Sequence, residues 1–345
     1  MIVVMKSGAS REQVDSVMDY IRELGLRSQP IYGTERTVVG VVGALDEDKA
    51  QLIEQLENLE SVDRAMPISK PYKFASREWR KSKTVVEVAG VKIGGPNLVV
   101  MAGPCTVESR SQLLETAHAV KEAGATILRG GAFKPSTSPY SFHGLGVKGL
   151  ELLAEARDET GLPVITEFLD ADHLADLERY ADILQIGTRN MANFALLRRA
   201  GKSSRPVMLK RGWASTVDEW LQAAEYILSE GNPNVILCER GIRTFEPSTR
   251  NTFDINGMAV VLERSHLPVV ADPSQGTGHR YLVPPVSKAA VAGGADALII
   301  EVHPDPSRAK KDGAQSLTIP EFQKLMSELR GIASAVGRPL LAPGP

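Results

Sequence analysis

Cysteine is scarce: only Cys105 and Cys238 occur in 345 residues. Two such residues cannot form a disulfide framework, and that scarcity suits a reducing compartment. Long apolar runs are also missing. Stretches such as Leu98 to Ala102 and Ala297 to Val302 fall far short of the ~20 residues that a membrane helix needs. The opening MIVVMKSGASREQ has neither a charged n-region nor an adequate apolar stretch, so it does not read as a signal peptide and a cytoplasmic location is expected. Nor is there an excess of either charge, with 40 basic against 42 acidic residues and a formal charge of −2. No nucleic-acid or membrane-surface partner is expected, because either would demand a basic excess or stripe. What remains is an ordinary globular composition, 43% hydrophobic and 24% charged. Its length fits two domains, or one large barrel with an appendage.

The first 70 residues read as a unit of their own. Met1 to Lys6 is strand-like. Ser10 caps a helix in which Val14, Val17, Met18, Ile21 and Leu24 recur at three-to-four spacing, with Gly25 as the stop. Gln29 to Tyr32 and Thr37 to Ala44 read as strands around a turn at Gly33 to Arg36. Asp46 caps a second helix carrying Leu52, Ile53, Leu56 and Leu59, and Ser61 to Ile68 closes the unit as a strand. The order is βαββαβ, the ferredoxin-like split motif. A packing or oligomerisation appendage and an effector-binding module are equally compatible with it. Residues 71–97 form a polar, basic linker (SREWRKSK) followed by an alternating run that predicts a hairpin turning at Ala89-Gly90, placed to lid one end of the next domain.

From Leu98 to about residue 338 a repeat takes over. Buried-strand runs begin near Leu98, Thr126, Pro163, Ile183, Pro206, Val235, Leu267 and Ala297, separated by helical patterns such as Ser111 to Ala123 and Val217 to Ser229. Eight such units predict a (β/α)8 TIM barrel, an α/β fold with its active site at the C-terminal strand ends. A doubly wound sheet competes, but no Gly-x-Gly-x-x-Gly follows the first strand.

The strand ends carry a non-random set. In order they place Cys105, Arg129 with Lys134 just beyond, Glu167, Arg189, Lys210 with Arg211, Glu239 with Arg240, Asp272, and Glu301. Arg129, Lys134, Arg189, Lys210 and Arg240 should converge on one mouth. Like charges that close repel by several kcal/mol even at an effective dielectric near 20, unless an anion neutralises them. Salt bridges to Glu167, Glu239 and Asp272 are the plainer explanation for any single cation. For all five together, a phosphorylated acid is the better one, held bidentately by arginine and as a point charge by lysine. Cys105, Glu301 and Asp312 follow the first and last strands, neighbours on closure. A thiolate with carboxylates suits a borderline divalent ion such as Mn, Fe, Co or Zn. Cys238 lies inside a strand and reads as a small buried hydrophobe. The loop KPSTSPYSFHGLG at 134–146 is rich in donors and could cradle a phosphate through Ser136 and Thr137.

These residues carry a family resemblance. AGPCTVES at 102–109, LRGGAFKPSTSPYSFHGLG at 128–146, QIGTRNMANF at 185–194, LKRG at 209–212, LCERGIRTFE at 237–246, ADPSQGTG at 271–278 and EVHPDP at 301–306 span the barrel in order. The chain resembles 3-deoxy-D-arabino-heptulosonate 7-phosphate (DAHP) synthase, in the form with an N-terminal ferredoxin-like domain. The resemblance implies a transferase opening the shikimate pathway to aromatic amino acids, which condenses phosphoenolpyruvate with erythrose 4-phosphate and requires a divalent metal. It implies phosphoenolpyruvate on Arg129, Lys134, Arg189, Lys210 and Arg240, and metal on Cys105, Glu301 and Asp312. It also implies a homotetramer in which residues 1–70 regulate through an aromatic amino acid.

Two positions depart from the family. Its fourth metal ligand is a histidine where Gln275 stands here, and glutamine offers only a neutral oxygen. His279 and His143 are candidate compensators. The family's arginine for the aldose phosphate is replaced by Ser136, a change expected to alter aldehyde preference. Lys134 and Glu167 are candidates for proton handling, the lysine on the expectation that crowding by arginines lowers its pKa. Alternatives are a synthase acting on another phosphorylated aldose, a Schiff-base aldolase using Lys210, and a regulatory barrel with weakened turnover.

Overall fold

The computed structural model describes residues 1–33, 36–44, 49–67, 72–135, 138 and 140–340. They fall into two compact units, Met1–Ser82 and Lys83–Pro345.

The first unit holds strands β1 (Ile2–Met5), β2 (Arg27–Tyr32), β3 (Thr37–Val42) and β4 (Val62–Met66), with helices at Arg11–Glu23 and Lys49–Glu57. The strands form one sheet in the order β2-β3-β1-β4, every pair antiparallel. This is the expected ferredoxin-like βαββαβ unit. Ser10 and Gln13 close a reciprocal capping box that starts the first helix. Its inward stripe, Val14, Val17 and Ile21, packs with Val3, Met5, Val39, Val41, Leu56 and Val62. Asp46, expected to cap the second helix, and Ile68 lie outside the described residues, as does part of the Gly33 to Arg36 turn. Beyond β4, Tyr72, Phe74 and Trp79 are buried, the two latter rings meeting edge-on with centroids 4.8 Å apart.

The second unit opens with a hairpin of β5 (Val86–Val88) and β6 (Val91–Ile93). Ala89 and Gly90 both have positive φ, 46° and 83°, as the tight two-residue turn requires. Eight parallel strands follow: β7 (Val99–Gly103), β8 (Ile127–Arg129), β9 (Val164–Glu167), β10 (Ile183–Ile186), β11 (Val207–Lys210), β12 (Val235–Glu239), β13 (Val269–Ala271) and β14 (Ala297–Glu301). They close into a barrel, as the repeat predicted. Every residue of these strands is buried, because helices cover the outside and side chains fill the inside. Hairpin residues Val86, Val88, Val91 and Ile93 share one cluster with Val99, Ile127, Ile183, Val270 and Ala297 from the strand starts. The hairpin therefore lids the N-terminal end. Cys238, in β12, belongs to that same buried cluster. Closure of β14 on β7 sets Glu301 opposite Gly103, which brings Cys105 beside the last strand. Among the described residues, no helix is long and apolar enough to cross a membrane.

Candidate active site

The C-terminal strand ends surround a cavity of about 310 Å³. Arg129, Lys134, Arg189, Lys210 and Arg240 all line it, together with Glu167, Gln275 and Asp312. Ser136 and Thr137, the sequence candidates for a phosphate cradle, lie outside the described residues. Glu167 reaches the cavity because Gly187 leaves room for it: a Cβ there would fall 2.0 Å from Glu167 Oε1.

Two of the arginines are held without being satisfied. Arg129 donates to Pro104 O at 2.9 Å and to Glu301 Oε1 at 3.3 Å. Among the described residues, Arg240 donates only to neutral oxygens, Gly241 O at 3.4 Å and Gln275 Oε1 at 3.2 Å. The Nε of each is buried with no hydrogen-bond partner among the described residues. A buried, unpaired guanidinium N–H costs free energy until an acceptor arrives, so the cavity is built for an anion. Other cations have protein counterions. Lys210 Nζ lies 2.6 Å from Asp272 Oδ2. Arg211 pairs with Glu239 at 2.9 Å and Asp254 at 2.7 Å, which makes it part of the wall.

Beside this cavity stands the thiol–carboxylate group. One ligand atom from each of Cys105, Glu301 and Asp312 lies within 4.8 Å of the other two. The strand register accounts for the first two, and Asp312 arrives on the loop after β14. Sulfur with two carboxylate oxygens fits a borderline divalent ion. Neither His279 nor His143 belongs to the group. His279 turns instead toward Tyr281, so neither histidine compensates for Gln275. The glutamine does not offer its oxygen to the group either. Its Oε1 accepts from Arg240, while Nε2 donates to Glu301 Oε1 at 2.8 Å and Asp312 Oδ2 at 3.4 Å.

Burial, and then the charge of Glu301, pushes the Cys105 thiol well above its ordinary range. Asp312 goes the other way: burial opposes its charge, but Lys134 and Arg250 hold the carboxyl below the usual range. The expectation of a lowered Lys134 is overturned. Burial does pull it down, but Cys105, Glu301, Asp312 and Glu167 outweigh burial and raise it. Its ammonium lies 3.6 Å from Asp312 Oδ2.

Sequence reasoning missed several contributors. Trp213 packs under the cations, its ring centroid 5.0 Å from Arg189, 5.8 Å from Arg240 and 4.6 Å from Arg243. It stands just past the LKRG strand end, a position that could have flagged it. Arg250 reaches Asp312 Oδ1 at 3.1 Å, and Gln315 donates to Glu301 Oε2 at 2.7 Å. Arg250 comes from a loop and Gln315 from the short 3-10 turn Gly313–Gln315, neither with a sequence signal.

A closed barrel whose one mouth joins orphaned arginines to a thiol–carboxylate pocket defines an enzyme that handles phosphorylated acids beside a divalent ion. Residues 77–335 match the DAHP synthetase I family, and residues 1–70 match the DAHP synthase ferredoxin-like domain. The chain belongs to the DAHP synthase family. It is 48% identical over 337 residues to phospho-2-dehydro-3-deoxyheptonate aldolase of Thermotoga maritima, covering 98% of this chain and 99% of that one. A crystal structure of phospho-2-dehydro-3-deoxyheptonate aldolase (DAHP synthase) from Thermotoga maritima superposes with a TM-score of 0.78 over 99% of each chain, at 47% identity. More distant is 2-dehydro-3-deoxyphosphooctonate aldolase of Caulobacter vibrioides, 34% identical over 260 residues, 70% of this chain and 90% of that one.

Proposed function

We propose that this chain condenses phosphoenolpyruvate with erythrose 4-phosphate to give DAHP and inorganic phosphate, the first step of the shikimate pathway. The observation that carries the reading is the pair of orphaned Nε atoms, on Arg129 and Arg240, beside the Cys105, Glu301 and Asp312 group. Arg129, Arg189, Lys210 and Arg240 bind the carboxylate and phosphate of phosphoenolpyruvate and turn its C3 toward the aldehyde carbon. Ser136 and Thr137 take the aldose phosphate. A divalent ion (Mn, Fe, Co or Zn) held by Cys105, Glu301 and Asp312 supplies Lewis acidity toward the aldehyde oxygen when bound. As C3 bonds to the aldehyde carbon, Lys134, kept charged by the surrounding acids, gives the oxygen its proton. Glu167 takes a proton from the water that adds at C2. The C2 hydroxyl then becomes the keto group as the C2–O bond to phosphate breaks with its electron pair on phosphate; the hydroxyl proton leaves on the phosphate, and the proton held by Glu167 restores Lys134. The test is phosphate release from phosphoenolpyruvate with erythrose 4-phosphate, with and without chelator. No release under any added divalent ion refutes the reading.

Ser136 favours a second reading, in which another aldose phosphate is the acceptor. An eight-carbon product, as in the octonate relatives, needs a five-carbon aldose with the three-carbon enolpyruvate. A kcat/KM higher with a five-carbon than with a four-carbon aldose phosphate would select that reading. Residues 1–70, which match the family's ferredoxin-like domain, are proposed to regulate through an aromatic amino acid, in a homotetramer and a cytoplasmic setting. Inhibition by tyrosine or phenylalanine that survives removal of residues 1–70 would refute the regulatory part. Sedimentation of the full chain as anything other than a tetramer would refute the assembly.

A further inference from the structure

The carboxamide of Gln275 touches both halves of the cavity floor, and both contacts fix its orientation. Arg240 can only donate, so the atom facing it at 3.2 Å is the amide oxygen. Glu301 and Asp312 as carboxylates can only accept, so the atom facing them at 2.8 Å and 3.4 Å is the amide nitrogen. Turning the group over would set N–H against N–H on one side and oxygen against carboxylate on the other. The residue is only 7% exposed, which leaves little solvent to relieve either clash.

We infer that Gln275 is not an ion ligand. It is a positioning residue that bridges the anion-holding Arg240 to the two ion-holding carboxylates, and the ion keeps three protein ligands with the remaining positions open to water or substrate oxygen. An amide nitrogen that donates two hydrogen bonds has no lone pair to give a metal. Gln315, on the far side of Glu301, does the same outer task, so both Glu301 oxygens are oriented by amide donors. The inference rests on the proposal that Cys105, Glu301 and Asp312 hold the ion.

The experiment counts inner-sphere water on Mn²⁺ bound to the full chain, from water-proton relaxation at saturating Mn²⁺, with affinity read by calorimetry. The wild type and Gln275→Ala should carry the same number of exchangeable waters. Gln275→His, whose imidazole can ligate, should carry one fewer and bind Mn²⁺ at least ~10-fold more tightly. A gain of one water in Gln275→Ala, with Gln275→His matching the wild type, would overturn the inference, since that is the signature of a ligating amide. Cys105→Ala separates the two failures. If it neither weakens Mn²⁺ binding nor adds a water, the ion pocket itself is wrong and the inference falls with it. If it does either, only the role of Gln275 is in question.

Discussion

Replacing Asp272 with asparagine removes one buried charge from behind Lys210, which lines the cavity, and keeps the shape of the side chain. In the native structure its carboxylate lies 2.6 Å from Lys210 Nζ, and the two residues are 2% and 5% exposed. It also accepts from Gln275 N at 2.9 Å as the cap of the short helix Pro273–Thr277, a task asparagine performs about as well. Loss of the charge is therefore the main perturbation. At 2.6 Å and an effective dielectric near 20 the gross attraction is about 6 kcal/mol. Stranding one partner of a buried pair costs about 3–5 kcal/mol, and Asp272 is the acid that pairs with Lys210 among the described residues. At roughly 2–4 °C per kcal/mol for a domain of this size, the barrel should melt about 6–20 °C lower. Burial alone would raise the Asp272 carboxyl, but the charge and hydrogen bond of Lys210 hold it below its ordinary value. A depressed folded pKa contributes stability that is full above the unfolded value near ~3.9 and lost as pH falls through the folded one. The gap between wild type and variant should thus be constant near neutrality and close below about pH 3.9. Inorganic phosphate should raise the variant's midpoint more than the wild type's, because an anion in the cavity replaces the missing counterion. A loss under about 1 kcal/mol, or equal responses to phosphate, would refute the reasoning.

Gly187→Ala puts a methyl group where Glu167 Oε1 now lies. The expected result is a fall in kcat of at least ~10-fold with an unchanged barrel circular-dichroism spectrum and little change in the KM for phosphoenolpyruvate, since only the carboxylate proposed to take the proton moves. Trp213→Ala removes the face on which Arg189, Arg240 and Arg243 lie. At about 0.5–2 kcal/mol for such contacts, steady-state kinetics should show the KM for phosphoenolpyruvate rising by about 2–30-fold. Ala89→Asn gives the hairpin the Asn-Gly pair that its positive-φ turn prefers. Its thermal midpoint should stay level or rise, as asparagine enters that region at lower cost than alanine.

The hairpin and the barrel were legible because their signals are local. Alternating valines around Ala89-Gly90, and apolar runs spaced by helical patterns, each report a period that the backbone imposes. The meeting of Cys105 with Glu301 was legible one step further on, since closing eight parallel strands makes the last neighbour the first. The state of Lys134 was not, because it depends on how closely Cys105, Glu301 and Asp312 gather around it from separate elements. The role of Gln275 was hidden for a similar reason. Sequence shows an amide where a ligand is expected, but only the facing Arg240 shows which end of that amide points at the carboxylates. Trp213 and Arg250 enter from loops, where residue type carries no period and placement follows from three-dimensional packing alone.

The valine-lined hairpin at the base of the barrel has a kinetic consequence. The barrel's own side chains fill it below the mouth, with β5 and β6 packed beneath them, so the catalytic chamber is a cul-de-sac: reactants and products must share one doorway. Whatever occupies the deepest cations must enter before its co-substrate and cannot be exchanged while that co-substrate is seated above it. Traffic through the chamber should therefore be ordered, with the enolpyruvate arriving first.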